Sequence, residues 1–130
     1  MSESSRRLFV IAAAILGALG VAAGAFGAHG LADTVSPRLL DVWHTAARYQ
    51  MWHVLAILII VLSRPQRLQQ GLLTAACLAW LLGIVVFSGS LYALVLSGVR
   101  LLGAVTPLGG LALLTGWVLL ACAALRQSQE

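Results

Sequence analysis

The sequence predicts an all-α fold, a polytopic membrane protein built as a bundle of four transmembrane helices in a single domain over residues 1–130. Three observations carry this. Hydrophobic residues fill 61% of the chain and charged residues only 9%, against roughly 45–50% and 25% in soluble domains. The mean hydropathy is +0.98. Four segments, residues 8–28, 43–62, 72–96 and 104–125, are long and apolar enough to cross a hydrocarbon core of about 30 Å, which takes about 20 helical residues.

The first span carries Gly17, Gly20, Gly24 and Gly27, which fall within about 80° of one another around a helix. Gly20-x-x-x-Gly24 is a close-packing pattern of membrane helices, suited to packing within the bundle or, alternatively, to a homo-oligomer through glycine faces. His29 and Gly30 are expected to close this helix, with Gly30 as a left-handed cap. A competing reading makes the first 25 residues a cleaved signal peptide, because Ala23-Gly24-Ala25 fits an A-x-A site.

The second helix should begin at Ser36-Pro37, an N-cap followed by proline at the first helical position, and stop at Ser63-Arg64-Pro65. Its uninterrupted apolar part, residues 54–62, is too short to cross. The spanning stretch must therefore reach back from Leu62 to Trp43, drawing His44, Arg48 and His53 towards or into the membrane. Around this helix His44, Thr45, Arg48 and Trp52 lie near Asp41, Tyr49 and His53 lie to one side, and Gln50 lies opposite. Asp41, His44 and Arg48 have the spacing of a side-chain cluster, though a polar stripe at the outer end of a tilted helix equally fits water or headgroups. His53 falls near mid-bilayer, where an ionisable group faces the bundle interior and takes a partner.

The third span is aliphatic until Phe87-Ser88-Gly89-Ser90-Leu91-Tyr92, where Ser88 and Tyr92 share a face. The fourth carries Pro107 in its opening turn, within Thr106-Pro107-Leu108-Gly109-Gly110, a pattern for a helix start with a tight packing contact. Cys77 and Cys122 sit inside apolar runs, where cysteine behaves as a small hydrophobe; no metal or other cofactor is expected.

The formal charge of +4 comes from eight arginines and no lysine. They lie at the ends of apolar runs, which speaks for anchoring and against nucleic acid. One side receives Arg6, Arg7, Arg64, Arg67 and Arg126; the other receives Arg38, Arg48 and Arg100 with Asp33 and Asp41. The positive-inside rule then puts both termini in the cytoplasm. With that orientation His29, residues 44–53, residues 88–92 and residues 106–110 all fall in the outer half of the bilayer. A shared polar network or pocket is expected there, lined by Arg48, His53, Ser88, Ser90, Tyr92 and Thr106.

At these residues the chain resembles a known family. "GAFGAHGL", "WHTAARYQMWH", "FSGSLYAL" and "TPLGG" followed by "GW" look like the motifs of family 423 of the domains of unknown function, small bacterial inner-membrane proteins similar to the eukaryotic transmembrane protein 256 group. The resemblance implies four helices, a plasma or inner membrane, and no established activity. Its motifs fall on Gly24, Gly27, His29 and Gly30; Tyr49, Gln50 and His53; Ser88, Gly89, Ser90 and Tyr92; and Thr106, Pro107, Gly109 and Gly110.

Several function classes follow from these residues. Ser88 or Ser90 with His53 could supply a nucleophile and a base, but Asp33 and Asp41 lie at the interface rather than at depth, so no enzymatic activity is expected. A bis-histidine haem through His29 and His53 is conceivable. The favoured reading is an accessory or scaffold protein with a polar pocket for lipid or a small polar ligand in the outer-leaflet half. The alternative is a small transporter or proton-linked carrier, working as an oligomer through His53.

Overall fold

A computed structural model describes residues 1–126 and contains four long helices. Helix α1 spans Glu3–Phe26, α2 Pro37–Ser63, α3 Gln70–Ser97 and α4 Leu102–Leu125. Each is long and apolar enough to cross a membrane. Local chemistry sets most of their ends. The Ser2 hydroxyl accepts from the Ser5 N–H at 3.1 Å, the Ser36 hydroxyl from Leu39 at 3.3 Å, and Gln69 Oε1 from Leu72 at 2.6 Å, each satisfying an amide that the first helical turn leaves free. Gly98 ends α3 at φ 71°, donating its N–H to Leu94 O at 2.8 Å, as a left-handed cap does. Arg64 ends α2 at φ 47°; the following Pro65 disfavours a further α-helical residue there.

Two helix ends differ from the expectation. Gly30 is not a left-handed cap, because the only positive φ angles belong to Arg64 and Gly98 among the described residues. Instead α1 widens into one π turn over Gly27–Leu31. The Thr34 hydroxyl then donates to Gly30 O and Leu31 O at 3.3 and 3.2 Å, while the Thr34 and Val35 amides also bond to Leu31 O. Packing accounts for the small residues: a Cβ on Gly27 would stand 2.7 Å from Trp43 Cδ1, and one on Gly30 2.6 Å from Phe26 Cε2. At α4 the helix starts earlier than expected, led in by 3₁₀-type bonds from Leu102, Gly103 and Ala104 to the carbonyls three residues before them. Pro107 therefore falls in the second turn.

The helices pack in chain order: α1 on α2, α2 on α3, and α3 most extensively on α4. Phe9, Val54, Ile57, Leu73, Trp80, Ile84 and Leu113 lie at the centre, and a smaller cluster of Leu31, Trp43 and Val95 closes the other end. The outer surface is apolar. Leu8, Ile59, Leu82 and Leu114 are 60–67% exposed, an inside-out distribution that hydrocarbon, not water, would cover.

The chain's start, the α2–α3 loop and the end of α4 meet at one end of the bundle. Glu3 pairs with Arg64 at 3.1 Å, and the Gln69 N–H donates to Ala123 O at 3.3 Å. Arg6 is 7% exposed and sends its guanidinium to Val61 O at 3.0 Å, with Gln70 Oε1 at 3.5 Å. It thereby satisfies one of the last carbonyls of α2, which that helix leaves without an amide. The sequence marked Arg6 only as an anchor.

Glycines permit the closest contacts. Phe87 backbone lies so near Gly109 that a Cβ would meet its Cα at 2.6 Å, and Gly83 and Gly116 are pressed against Leu113 and Trp80. On α1, Gly17 faces Val54 and Gly20 faces Gln50 and Met51, whereas Gly24 meets nothing within 4 Å. The glycine stripe is thus largely taken up inside the chain. Gly109→Ala should cost about 1–3 kcal/mol, because the Phe87 backbone cannot yield as a side-chain tip would. Gly24→Ala should be neutral or stabilising by up to about 1 kcal/mol; unfolding in detergent micelles measures both.

Candidate functional site

The polar residues of α2 emerge in different directions, and each direction finds a different helix. Towards α1, the Trp43 indole N–H donates to Ala23 O at 2.7 Å. One side of its ring meets Phe26 edge-on at 5.6 Å between centroids, and Tyr92 lies 4.6 Å away. Two turns further along, buried Gln50 joins three helices: its amide nitrogen donates to Leu16 O on α1 at 2.6 Å, and its oxygen accepts from the Tyr92 hydroxyl on α3 at 2.9 Å. A side-chain amide carries a donor nitrogen and an acceptor oxygen side by side, which suits a position between a carbonyl and a phenol.

Towards α4, His53 is 4% exposed. Its Nδ1 lies 2.7 Å from Tyr49 O, and its Nε2 lies 3.1 Å from the Trp117 indole nitrogen. Indole can only donate, so this arrangement requires a bare Nε2 and a proton on Nδ1, given to the Tyr49 carbonyl. His53 also lies within an aromatic cluster with Tyr49, Trp80 and Trp117. Trp80 is fully buried, and its N–H, directed at Gly116, has no acceptor.

The hydroxyls of α3 follow the same pattern. Ser88 donates to Ala46 O on α2 at 2.8 Å. Ser90 and Thr106 share a hydrogen bond of 2.8 Å between α3 and α4, backed by Phe87 O and Leu102 O on their own helices. Arg48 lies on a separate, exposed face of α2, 3.9 Å from Asp41, beside His44, Gly20 and Gly24. His29 is exposed and makes no hydrogen bond to Tyr92 or Arg48.

The expected single network is therefore not formed. His53, Ser88, Ser90, Tyr92 and Thr106 are distributed among separate interhelical bonds and Arg48 pairs within α2, because neighbouring positions on a helix turn by about 100° each and reach different neighbours. Neither serine bonds to His53. Among the described residues no three His, Cys, Asp or Glu side chains gather. The partners that sequence reasoning missed are the tryptophans. Their signal was chemical: an indole N–H in hydrocarbon needs an acceptor, and Trp43 and Trp117 each lie within reach of a helix that offers one.

Between these bonds run two open grooves. One, about 510 Å³, lies against α1, α2 and α3 and is lined by Leu19, Phe26, Trp43, Gln50, Gly89 and Tyr92 among others. The other, about 870 Å³, lies between α2 and α4, with Tyr49, Trp52, His53, Phe87, Gly110 and Trp117 in its wall. Gly89 and Gly110, which the sequence suggests as close-packing positions alongside Gly109, instead have room: a Cβ on Gly89 would meet nothing within 4 Å, and one on Gly110 only the Phe87 ring edge at 3.8 Å. Replacing Gln50 by Leu should leave the Tyr92 hydroxyl without its acceptor, while Leu16 O keeps the amide of its own helix, and cost about 1–3 kcal/mol. Tyr92→Phe should cost about 0.6 kcal/mol, the average for one interhelical bond in a membrane protein. A double-mutant cycle on unfolding in micelles reads the coupling between them.

Comparison with known proteins agrees with a membrane protein. The family described as "Protein of unknown function (DUF423)" matches residues 23–110, a stretch that holds the bonds of α2 to Ala23, Ser88 and Tyr92. The UPF0382 membrane protein YwdK of Bacillus subtilis is 41% identical over 122 residues, covering 92% of this chain and 98% of its own length. A UPF0382 membrane protein of Staphylococcus epidermidis is 43% identical over 122 residues, 92% of this chain and 97% of its own. The UPF0382 membrane protein SH2409 of Staphylococcus haemolyticus is 44% identical over 117 residues, 88% of this chain and 92% of its own. No solved structure matches the chain. With the family matched over most of its length and these relatives covered almost end to end, the chain belongs to the DUF423 family, whose relatives here are named membrane proteins.

Proposed function

We propose that the chain is a non-enzymatic accessory protein of the bacterial inner membrane, whose groove between α2 and α4 holds the apolar chain of a lipid. The observation that carries this reading is the groove itself: about 870 Å³, walled by Tyr49, Trp52, Phe87 and Trp117 and open along its length to the apolar surface. Sites for small apolar ligands have this character, a mostly hydrophobic lining with a few polar atoms. The Tyr49 hydroxyl and Trp52 indole N–H supply those polar atoms, and both residues are partly exposed. The pocket envisaged is thus less polar than the sequence suggested.

Two other readings draw less support. A carrier working through His53 needs a ring nitrogen free to exchange a proton, whereas both of its nitrogens face hydrogen-bond partners. A hydrolase needs a nucleophile beside a base, and Ser88 and Ser90 bond elsewhere. If a second copy of the chain associates through glycine, Gly24 beside Asp41 and Arg48 is the part of the stripe left for it.

Native mass spectrometry of the protein released from nanodiscs of phosphatidylcholine tests the groove. One retained lipid per chain is expected for the wild type and none for Gly110→Leu, which fills the groove where a Cβ has room; equal retention by both would overturn the reading. The proposed orientation, with both termini in the cytoplasm, rests on arginine counts. Alkaline phosphatase fused after Thr34 or Arg100 should be active and after Gln69 inactive, and the reverse pattern would invert the topology.

A further inference from the structure

A further cavity, of about 660 Å³, lies between the start of α2 and the junction of α3 with α4, the end that the arginine count places outside. Two arginines from distant parts of the chain border it: Arg38, the second residue of α2, and Arg100, in the turn after Gly98. Below them the wall is Leu39, Val42, Leu91 and Leu94, all partly buried. The α2 terminus adds little of its own, since the Ser36 hydroxyl already accepts from Leu39 N–H.

Among the described residues neither arginine forms an ion pair, unlike Arg6, Arg48 and Arg64. The carboxylates at this end leave them free: Asp41 pairs with Arg48 and Asp33 with none of the arginines. Two like charges therefore border one cavity with no carboxylate of the described residues paired to either.

Depth identifies the missing anion. If α2 crosses from Leu62 to Trp43, Arg38 lies five residues further out, about 7.5 Å at 1.5 Å per residue. That is the level of the headgroups, which add about 5–7.5 Å on each side of the hydrocarbon. The leucines then descend from headgroup level into the acyl region. Guanidinium groups present paired N–H donors that match phosphate oxygens, and an apolar slot beneath them has no use for a free phosphate ion.

We infer that this cavity is a binding site for one anionic phospholipid, its phosphate between Arg38 and Arg100 and an acyl chain along Leu39, Val42, Leu91 and Leu94. The site is separate from the α2–α4 groove and stands whether or not that groove holds a lipid.

The test is native mass spectrometry of the protein from phosphatidylcholine nanodiscs doped with phosphatidylglycerol. Wild type should retain phosphatidylglycerol in preference to phosphatidylcholine. At about 1 kcal/mol per arginine near the membrane surface, Arg38→Gln or Arg100→Gln should lower that retention about fivefold and the double variant about thirtyfold. Arg48→Gln, which removes a charge outside the cavity, should leave it unchanged. Both arginines are exposed, so folding should survive, and the Arg38→Lys/Arg100→Lys pair should recover most of the preference. The inference fails if the double glutamine variant retains phosphatidylglycerol like wild type, if Arg48→Gln lowers it as much, or if inorganic phosphate displaces the lipid from wild type at equal concentration.

Discussion

Everything in this bundle depends on α2 crossing a membrane that its sequence is poorly suited to enter. A polar group left without a partner in hydrocarbon costs several kcal/mol. The second helix brings Trp43, Gln50 and His53 into the bilayer because its apolar run, residues 54–62, is too short to span alone. Each of these side chains is buried and bonded to another helix: Trp43 and Gln50 to α1, Gln50 also to α3, and His53 to α4. The polarity of α2 is therefore what ties it to all three neighbours. In lipid, where apolar side chains gain little by leaving one apolar environment for another, such bonds and close packing hold helices together.

Close packing sets the second condition. Interhelical hydrogen bonds need side-chain tips within about 3 Å of their partners, and short residues such as serine reach that far only if the helices approach closely. Ser88 meets the Ala46 carbonyl, and Ala46 is itself fully buried. The Ser90–Thr106 bond lies one turn from Gly109, whose missing side chain lets α4 rest on the Phe87 backbone. The same logic explains the π turn of α1. Gly27 must admit Trp43 while Gly30 admits the ring of Phe26, and a single widened turn directs both small positions to large aromatic neighbours. Such π turns occur mostly as single bulges within otherwise regular helices.

The parts of this structure legible in the sequence are those written in local chemistry. Ser36-Pro37 announced the start of α2, and the apolar runs announced four helices, because each depends on neighbours within a few residues. His53 was recognisable as a buried group in need of a partner from its depth alone. Which partner it takes was not legible, since Trp117 is 64 residues away and its placement depends on how α3 and α4 pack. Gathering polar residues by depth merged bonds that point in different directions around the bundle. Depth is one coordinate; azimuth between helices is set by tertiary packing, and a single sequence does not carry it. Arg6 misled for a related reason: an arginine at a helix end looks the same whether it meets headgroups or caps the end of another helix.

A consequence follows for where function can reside. Once Gln50, His53, Ser88, Ser90 and Thr106 are engaged between helices, they are structural members whose removal weakens the bundle before it alters any chemistry. What remains available to a ligand is the grooved, largely apolar exterior together with the charges that no protein group answers. Both belong to the surface facing lipid rather than to an enclosed centre. A protein of this build meets its surroundings sideways, through the bilayer. The residues that shape or charge that surface are the aromatic wall of the α2–α4 groove and Arg38 and Arg100, which no carboxylate of the described chain neutralises.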